Sequence, residues 1–543
     1  MSIKPVLADA PKDEATAAPK MWRSLEELLE KPDFQSMLTR EFPSQAGEWA
    51  DPLSRRTFLS LMGASIALAG ATGCRQPGGT TVPNVVDVEG TQPGRPQYFA
   101  TSMPLGGYAT PVLAKSYEGR PIKIEPNTQH PSFAGAPDGV SVGTDLFAQA
   151  SVLGMYDPDR EFGLNFEGSA TTWDDCLRAL KKSLAALDKA NQGSAIRVLT
   201  GTVTSPTEKD LVQRFLKKYP GARWHQHEAL ASDNGIEGNT LAFGQALEAH
   251  PVLHDAAKGV RADVIVTIDS DLLNQGPAHL ALVRQYGELR DAANTVGMTR
   301  LYAIEPTLSV TGTKADHRLA ARPSAIPALV AHLGHLLGAA GGKPAAGLEA
   351  SEEKFLQVLA ADLREKSHDH KGAKLAKPES RSGKTVLVAG PRQPKEVHAL
   401  VASINSKLGN QGKTVHYRAP LAAGRPLPAD NTLAQLTDDM NAGRVKFLLV
   451  VDGNPAYCAP SDVPFGAELV KLSGKKDCTT AYLGQYEDET AIKSQWRIPQ
   501  SHYLEQWGDL LAHDGRACLV QPLIAPLFRG HSTNELLAGL LAV

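Results

Sequence analysis

Short, solidly apolar runs alternate along the chain with stretches whose apolar residues recur at helical spacing. The runs are "IRVLTG" (196–201), "ADVIVTID" (262–269), "RLYAIEP" (300–306), "KTVLVAG" (384–390), "KFLLVVDGNP" (446–455) and "TTAYLGQ" (479–485). Each passes into a loop rich in Ser, Thr, Gly, Pro or Asp, and usually then into a helical pattern such as "PTEKDLVQRFLKKY" or "PALVAHLGHLLGAA". Strand, loop and helix in this rotation predict an α/β chain with doubly wound parallel sheets, helices covering both faces. Ligands of such sheets sit at the carboxyl ends of the strands, where these loops collect. No G-x-G-x-x-G follows a strand, so a simple dinucleotide fingerprint is not expected. The stretch Gly342 to Gly383, with "KSHDHKGAKLAKPESRSGK", reads as a solvated connection between two such units.

A different apolar run lies near the start. "SRRTFLSLMGASIALAGATGC" (54–74) places Arg55 and Arg56 before an apolar core from Phe58 to Ala71. That core has signal-peptide length and falls short of the roughly 20 residues that span a bilayer. Gly63 and Gly70 lower its hydrophobicity, which suits the twin-arginine export route; the other reading is a buried helix with a chance Arg pair. Cys74, after Gly73, is a candidate lipidation site, although Ala71 stands where such sites usually carry Leu; the alternative is a cut near Ala71 and an ordinary thiol. Ahead of the arginines, Trp22, Leu25, Leu28 and Leu29 share a helical face that would suit a chaperone inspecting folding, or a short helix without a role.

Composition narrows the classes. Hydrophobic residues make up 42% and charged residues 21%, with a formal net charge of −3, which favours neither nucleic acid as partner nor disorder. Beyond the leader about 470 residues remain, enough for two or three domains at ~150 residues each. Cys74, Cys176, Cys458, Cys478 and Cys518 are scattered without a C-x-x-C pair, so neither a disulfide framework nor an iron–sulfur or zinc ligand set is legible.

Other polar groupings point to structure more than to chemistry. His225 and His227 flank Gln226 without a third ligand, and His368 and His370 fall in the basic connection. Asp269 and Asp271 close a strand and read as loop and cap residues. Asp316, His317 and Arg318 suggest a hydrogen-bond network, with a proton relay as the alternative. No G-x-S-x-G elbow supports a hydrolase.

Several segments resemble a known family. "EGRPIKIEPNTQHPSFAG" (118–135), "YDPDR" (156–160), "TTWDDCLRAL" (171–180), "RLYAIEPTLSVTGTKADHRL" (300–319) and "VVDGNPAYCAP" (450–460) look like molybdopterin oxidoreductases of the bis-guanine-dinucleotide type. The extended leader and "YFATSMPLGGYATPVLAKSYEGRPIKIE" are similar to the molybdopterin-oxidoreductase-like subunit of bacterial alternative complex III, a quinol-oxidising respiratory complex. The resemblance implies a DMSO-reductase-like multi-domain fold, without the C-terminal barrel domain of catalytic relatives. Its parts would be a leader (1–74), a small β-rich domain descended from an iron–sulfur domain (75–165), an α/β domain (166–341), the connection (342–383) and a second α/β domain with the C-terminal segment (384–543).

The resemblance also says where ligands would be. Cluster-binding relatives carry four cysteines in the region that here reads "YFATSMPLGGYATPVLAK" and "AGAPDGVSVGTD", without one thiol to hold a [4Fe-4S] cluster. The family's molybdenum ligand lies about thirteen residues before a Phe-Gly pair; Phe243 and Gly244 place it at Ala231, with Ser232 and Asp233 adjacent. Where relatives show D-P-R and P-G-x-D, this chain has Glu305, Pro306, Thr307 and Arg322, Pro323, Ser324, Ala325, which removes charge-assisted partners for phosphate and guanine. Two expectations follow. The first is a cofactor-free, non-catalytic subunit, exported by the twin-arginine route to the periplasmic face of the membrane. Its partners would be a ferredoxin-like iron–sulfur chain, multihaem cytochromes c and multispan quinol-binding subunits, with clusters and haem c held by those partners. The second is a molybdenum enzyme holding molybdopterin guanine dinucleotide, with Ser232 or Asp233 as metal ligand and Asn454 at the cofactor.

Overall fold

The six apolar runs are six strands, all of them in parallel sheets. In chain order, Gln97–Leu105 (β1), Tyr108–Tyr117 (β2) and Arg120–Pro126 (β3) form an antiparallel meander, followed by helix Leu146–Met155 (α1). Next come Trp173–Asn191 (α2), Ile196–Thr200 (β4), Pro206–Lys218 (α3), Arg223–Gln226 (β5) and Asn234–Phe243 (α4). A second set comprises Val264–Ile268 (β6), His279–Leu289 (α5), Arg300–Glu305 (β7), His317–Ala320 (β8), Ile326–Leu337 (α6), Ala350–Arg364 (α7), Thr385–Ala389 (β9) and Lys395–Lys407 (α8). The chain continues through Leu433–Asn441 (α9), Phe447–Val451 (β10), Phe465–Ser473 (α10), Thr479–Gly484 (β11) and Trp496–Pro499 (β12). It closes with Gly508–Leu511 (β13), Ala517–Val520 (β14) and Thr533–Leu541 (α11). This computed structural model describes residue 92 and residues 94–133, 143–230, 233–291, 297–368 and 374–542. The leader, with Arg55, Arg56 and Cys74, lies outside the described residues, as do Ala231, Ser232 and His370.

Two parallel sheets organise the described residues. In the larger, β12, β11, β10, β4 and β5 run parallel in that order, and the short strands Asn165–Phe166 and Ser169–Ala170 extend it antiparallel beyond β12. The smaller sheet has the order β8, β7, β6, β9, all parallel. Successive residues point to opposite faces, and both faces are covered. Phe447, Leu449 and Val451 of β10 meet α2, α3 and α11 through Leu180, Phe215 and Leu537. Leu448 and Val450 meet α9 and α10 through Leu436 and Leu469. The same alternation in β6 sends Val264, Val266 and Ile268 to α6, α7 and α8, and Ile265 to α5.

The expected division into sequential domains gives way to an interleaved one. β9 leaves the last segment to pair with β6, from Val264 opposite Thr385 to Ile268 opposite Ala389, while β10 pairs with β4. Gly342 to Gly383 differs from a solvated connection. It contains α7, whose Leu356, Leu359, Ala360 and Leu363 are buried against α6, and the antiparallel strands Glu365–His368 and Lys374–Ser380. Leu356, Leu359, Ala360 and Leu363 fall on one helical face, and burial of that face fixes the segment. The small N-terminal sheet is completed from the other end of the chain. Met103, Val112 and Ile124 pack with Val152 and Met155 of α1 and with Tyr503, Leu504 and Val520.

Arg160, from the "YDPDR" segment, fastens this N-terminal layer to the larger sheet. Its guanidinium meets both Glu505 oxygens at 2.9 and 3.2 Å and donates to the carbonyls of Met155 (3.0 Å) and Gln500 (3.1 Å). The two side chains are 1% and 0% exposed. Glu505 also accepts from the backbone N–H groups of His502 and Leu527, so both oxygens of the buried carboxylate are hydrogen-bonded.

Candidate functional site

Each parallel sheet has one place where consecutive connections leave in opposite directions. There the strand ends part and a crevice forms. In the smaller sheet this place lies between β6 and β9, and the protein fills it. The Asp269 carboxylate accepts from Arg392 (3.0 Å) and Gln393 (2.9 Å), and a Cβ on Gly390 would stand 1.7 Å from the Asp269 carbonyl oxygen. Glycine at 390 is what allows this contact. Asp271 accepts from the Thr311 backbone N–H (2.8 Å) and hydroxyl (2.7 Å), so both aspartates act as loop-fixing groups.

In the larger sheet the corresponding place, between β4 and β10, is open. A cavity of ≈ 560 Å³ lies at the carboxyl ends of β4, β10 and β11, with Thr200, Gly201, Val451, Gly453 and Asn454 on its wall. Pro104 near the end of β1, Gly106 and Gly107 of the β1–β2 turn, and residues 506–510 close its sides. Gly107 has φ +82°, and a Cβ there would meet the Thr202 carbonyl oxygen at 2.2 Å, so the hairpin turn sits directly on the loop after β4.

The charge on this wall is of one sign. Glu208, Glu228, Asp452, Asp488 and Asp509 line the cavity, and no Lys, Arg or His is among the lining residues. Burial, then Asp452 and Asp509, push the Glu208 carboxyl up from 4.5 to about 7. Burial raises Glu228, with Asp452 adding to the effect, and burial likewise raises Asp452. Asp452 stays open to the cavity even though protein surrounds it. Burial raises the Tyr482 phenol, whose single O–H lies within hydrogen-bond reach of Asp488 (2.6 Å) and of the Gly453 carbonyl (2.9 Å).

Helix α3 starts at this cavity, and its amino end is already occupied. Ser205 caps it, accepting from the Glu208 backbone N–H (3.0 Å), and Pro206 takes the first turn, where a missing N–H costs nothing. Asp509, carried by β13, accepts from the Ser205 hydroxyl, the Thr207 hydroxyl (2.7 Å) and the Thr207 backbone N–H (3.3 Å). A helix amino terminus at a strand end is a general phosphate site. Here a protein carboxylate holds it.

The residues singled out from sequence fall as follows. Asn454 lines the cavity, but its amide is engaged. Nδ2 donates to Glu489 (2.6 Å), and Oδ1 accepts from Thr490 (2.8 Å). Asp233 is not on this wall; it pairs with Arg425 (3.0 Å) and accepts from the Leu427 N–H (2.8 Å). His225 is buried with Nδ1 on the Thr432 carbonyl (3.1 Å), and burial lowers it to about 4. Burial likewise lowers His227. Asp316 pairs with Arg290, and Arg318 pairs with Glu305, while the His317 ring packs tilted against Tyr302. The trio is thus split among three partners. Cys176, Cys458, Cys478 and Cys518 are free thiols. Among the described residues no group of three or more His, Cys, Asp or Glu is placed to hold a metal ion. Sequence reasoning missed Glu208, Glu228, Asp488 and Asp509 as cavity residues. The one local signal was the Ser205-x-x-Glu208 spacing of a helix start.

The fold is that of the molybdopterin oxidoreductases. The molybdopterin oxidoreductase family model matches residues 167–542, and the chain belongs to that family. Among solved structures it is similar to acetylene hydratase from Pelobacter acetylenicus, with TM-score 0.54 and 11% identity over 81% of this chain and 68% of that one. This likeness establishes the DMSO-reductase-like fold alone. A formyltransferase/hydrolase complex from Methylorubrum extorquens aligns at TM-score 0.44 and 13% identity over 70% of this chain and 98% of that one. No curated protein matches the chain. The family's cofactor, as a guanine dinucleotide, carries pyrophosphate. A wall of five carboxylates without a cation, beside a helix end already holding Asp509, does not fit such a group.

Proposed function

We propose that this chain is a non-catalytic, molybdopterin-oxidoreductase-like structural subunit of a membrane-associated, quinol-oxidising electron-transfer complex of the alternative complex III type. The observation that carries the reading is the crevice between β4 and β10, where acidic residues and an occupied helix terminus stand in place of anion-binding groups. Electrons would pass through partners: a ferredoxin-like iron–sulfur chain, multihaem cytochromes c and multispan quinol-binding subunits. Exposed Leu146, Phe147 and Leu153 on α1 offer apolar docking area on the N-terminal layer. Among the described residues no helix is long and apolar enough to cross a membrane. In this reading Arg55 and Arg56 direct export, and an acylated Cys74 tethers the chain at the periplasmic face. The alternative is a molybdenum enzyme with Ser232 or Asp233 as ligand; the Arg425 and Leu427 contacts already use the Asp233 carboxylate, which disfavours that ligand, and Ser232 lies outside the described residues.

The test is elemental analysis for molybdenum, tungsten and iron on the natively exported protein, with an assay for released pterin. The expected result is none of these in stoichiometric amount on the isolated chain, and co-purification with iron–sulfur and haem subunits from native membranes. Metal and pterin at one per chain, or a coloured and active monomer, would overturn the proposal.

A further inference from the structure

The cavity between β4 and β10 is too well formed to be a packing defect. Its ≈ 560 Å³ lies in the range of small-molecule sites. Beside its carboxylates it carries unmet hydrogen-bonding capacity. The side-chain oxygens of Gln500, Gln506 and Asn534, all on its wall, are buried without a partner. Gln500 is 8% exposed as a whole. Buried amide oxygens without partners are costly; these three are closed to the cavity as they stand, and a donor there reaches them once the amides turn. The walls also include the aromatic rings of Tyr482, Tyr486 and Trp507, surfaces that attract cations.

We infer that this crevice binds an aliphatic ammonium ligand, a chain bearing two or more primary or secondary amines, which spans its carboxylates while the Gln500, Gln506 and Asn534 amides turn their oxygens to meet it. A single metal ion is the poorer candidate, because no three ligating groups converge among the described residues. An extended polyamine reaches separated carboxylates that one ion cannot, and each ammonium supplies up to three donors. Crowding of uncompensated acids is the electrostatic counterpart. Burial and neighbouring carboxylates raise Glu208 and Glu228, and a bound cation would reverse that. Arg425, the nearby cation that acts on Glu228, is itself paired to Asp233. The amines could belong to a free polyamine or to lysine side chains of a docking polypeptide.

The inference rests on the reading that no dinucleotide occupies the crevice, and the experiment separates the two. Isothermal titration of the full exported chain near pH 7 would use spermidine, a tetralysine peptide, magnesium chloride and GDP as probes. Expected is saturable one-to-one binding of spermidine or tetralysine, with spermidine alone marking a free polyamine and tetralysine alone a partner's side chain. Binding should release protons, seen as heats that differ between phosphate and Tris, and should weaken tenfold or more in Glu228→Gln/Asp452→Asn. Gln500→Leu, which leaves every carboxylate in place, should weaken it severalfold, and thermal unfolding checks that each variant is folded. If neither amine binds, if magnesium alone binds, or if the variants bind as the parent does, the inference is overturned. GDP binding together with released pterin would overturn the proposed function as well.

Discussion

Replacing Glu208 by glutamine should stabilise the protein at alkaline pH and leave it nearly unchanged at mildly acidic pH. Glu208 sits in the first turn of α3, where a free helix end would favour its charged form. Burial and the carboxylates of Asp452 and Asp509 outweigh that and raise it from 4.5 to about 7. Between those two values the folded chain therefore holds more protons than the unfolded one. Stability falls as pH rises through this window, and the full penalty is present above about 7. A rise of roughly 2.5 pH units corresponds to about 3.4 kcal/mol. The side chain keeps contact with water in the crevice, which screens it, so a gain of about 1–2 kcal/mol is the reasonable expectation. Glutamine keeps the size and hydrogen-bonding capacity of the neutral acid, so the variant removes the charge and little else. Urea unfolding at pH 5 and pH 8, followed by tryptophan fluorescence, reads this directly, because Trp173, Trp224, Trp496 and Trp507 all belong to the larger sheet and its surroundings. A variant no more stabilised at pH 8 than at pH 5 would refute the picture of a crevice crowded with uncompensated acid.

Two further substitutions probe how the layers are held. Arg160→Met leaves Glu505 buried without its counter-charge and should cost about 3–5 kcal/mol. Hydrogen exchange should locate the loss in residues 97–155, Arg160→Met/Glu505→Leu should recover most of it, and an undisturbed single variant would contradict the fastening role. Asp439 would be raised by burial, but Arg197 (2.6 Å) and Arg444 (2.7 Å) hold it down to about 2. Its contribution, about 2 kcal/mol, is complete above the unfolded value of 3.8 and is lost as pH falls through about 2. Acid titration of Asp439→Asn should therefore show a shallower loss of stability between pH 4 and pH 2 than the parent.

The strands were legible because burial on both faces makes them locally conspicuous. "VIVTI" and "FLLVV" need no long-range information to be read as covered strands. Which strands share a sheet was not legible, since the pairing of Val264 with Thr385 joins residues far apart in sequence and nothing local marks it. Helix α7 was overlooked for a related reason. Gly, Pro and Lys-rich flanks dominate the composition around it, while the stripe of Leu356, Leu359, Ala360 and Leu363 becomes informative only at helical spacing. The candidate site divides the same way. Asp452 and Asn454 lie in "VVDGNPAYCAP", a segment that carries the family resemblance, whereas Glu208, Glu228, Asp488 and Asp509 come from separate stretches that only the topology gathers.

That division bears on how the crevice arises and what it can hold. A gap between β4 and β10 follows from connectivity, because the chain leaves β4 toward β5 on one side and leaves β10 toward β11 on the other. The gap exists whatever lines it. Its chemistry depends on charges that the topology leaves free to vary. With free N–H groups at α3 and cations on the loops it would take phosphate. With Asp509 on those N–H groups and Asp452, Glu208 and Glu228 around them, the local potential is reversed. Asp509 is positioned by β13, the strand that also lends Leu510 to the N-terminal layer, so the carboxylate is part of the framework joining the layers. Asp509→Asn would keep hydrogen bonding to α3 while lowering the negative charge. Any anion affinity this variant gained over the parent would measure how far that single carboxylate guards the site.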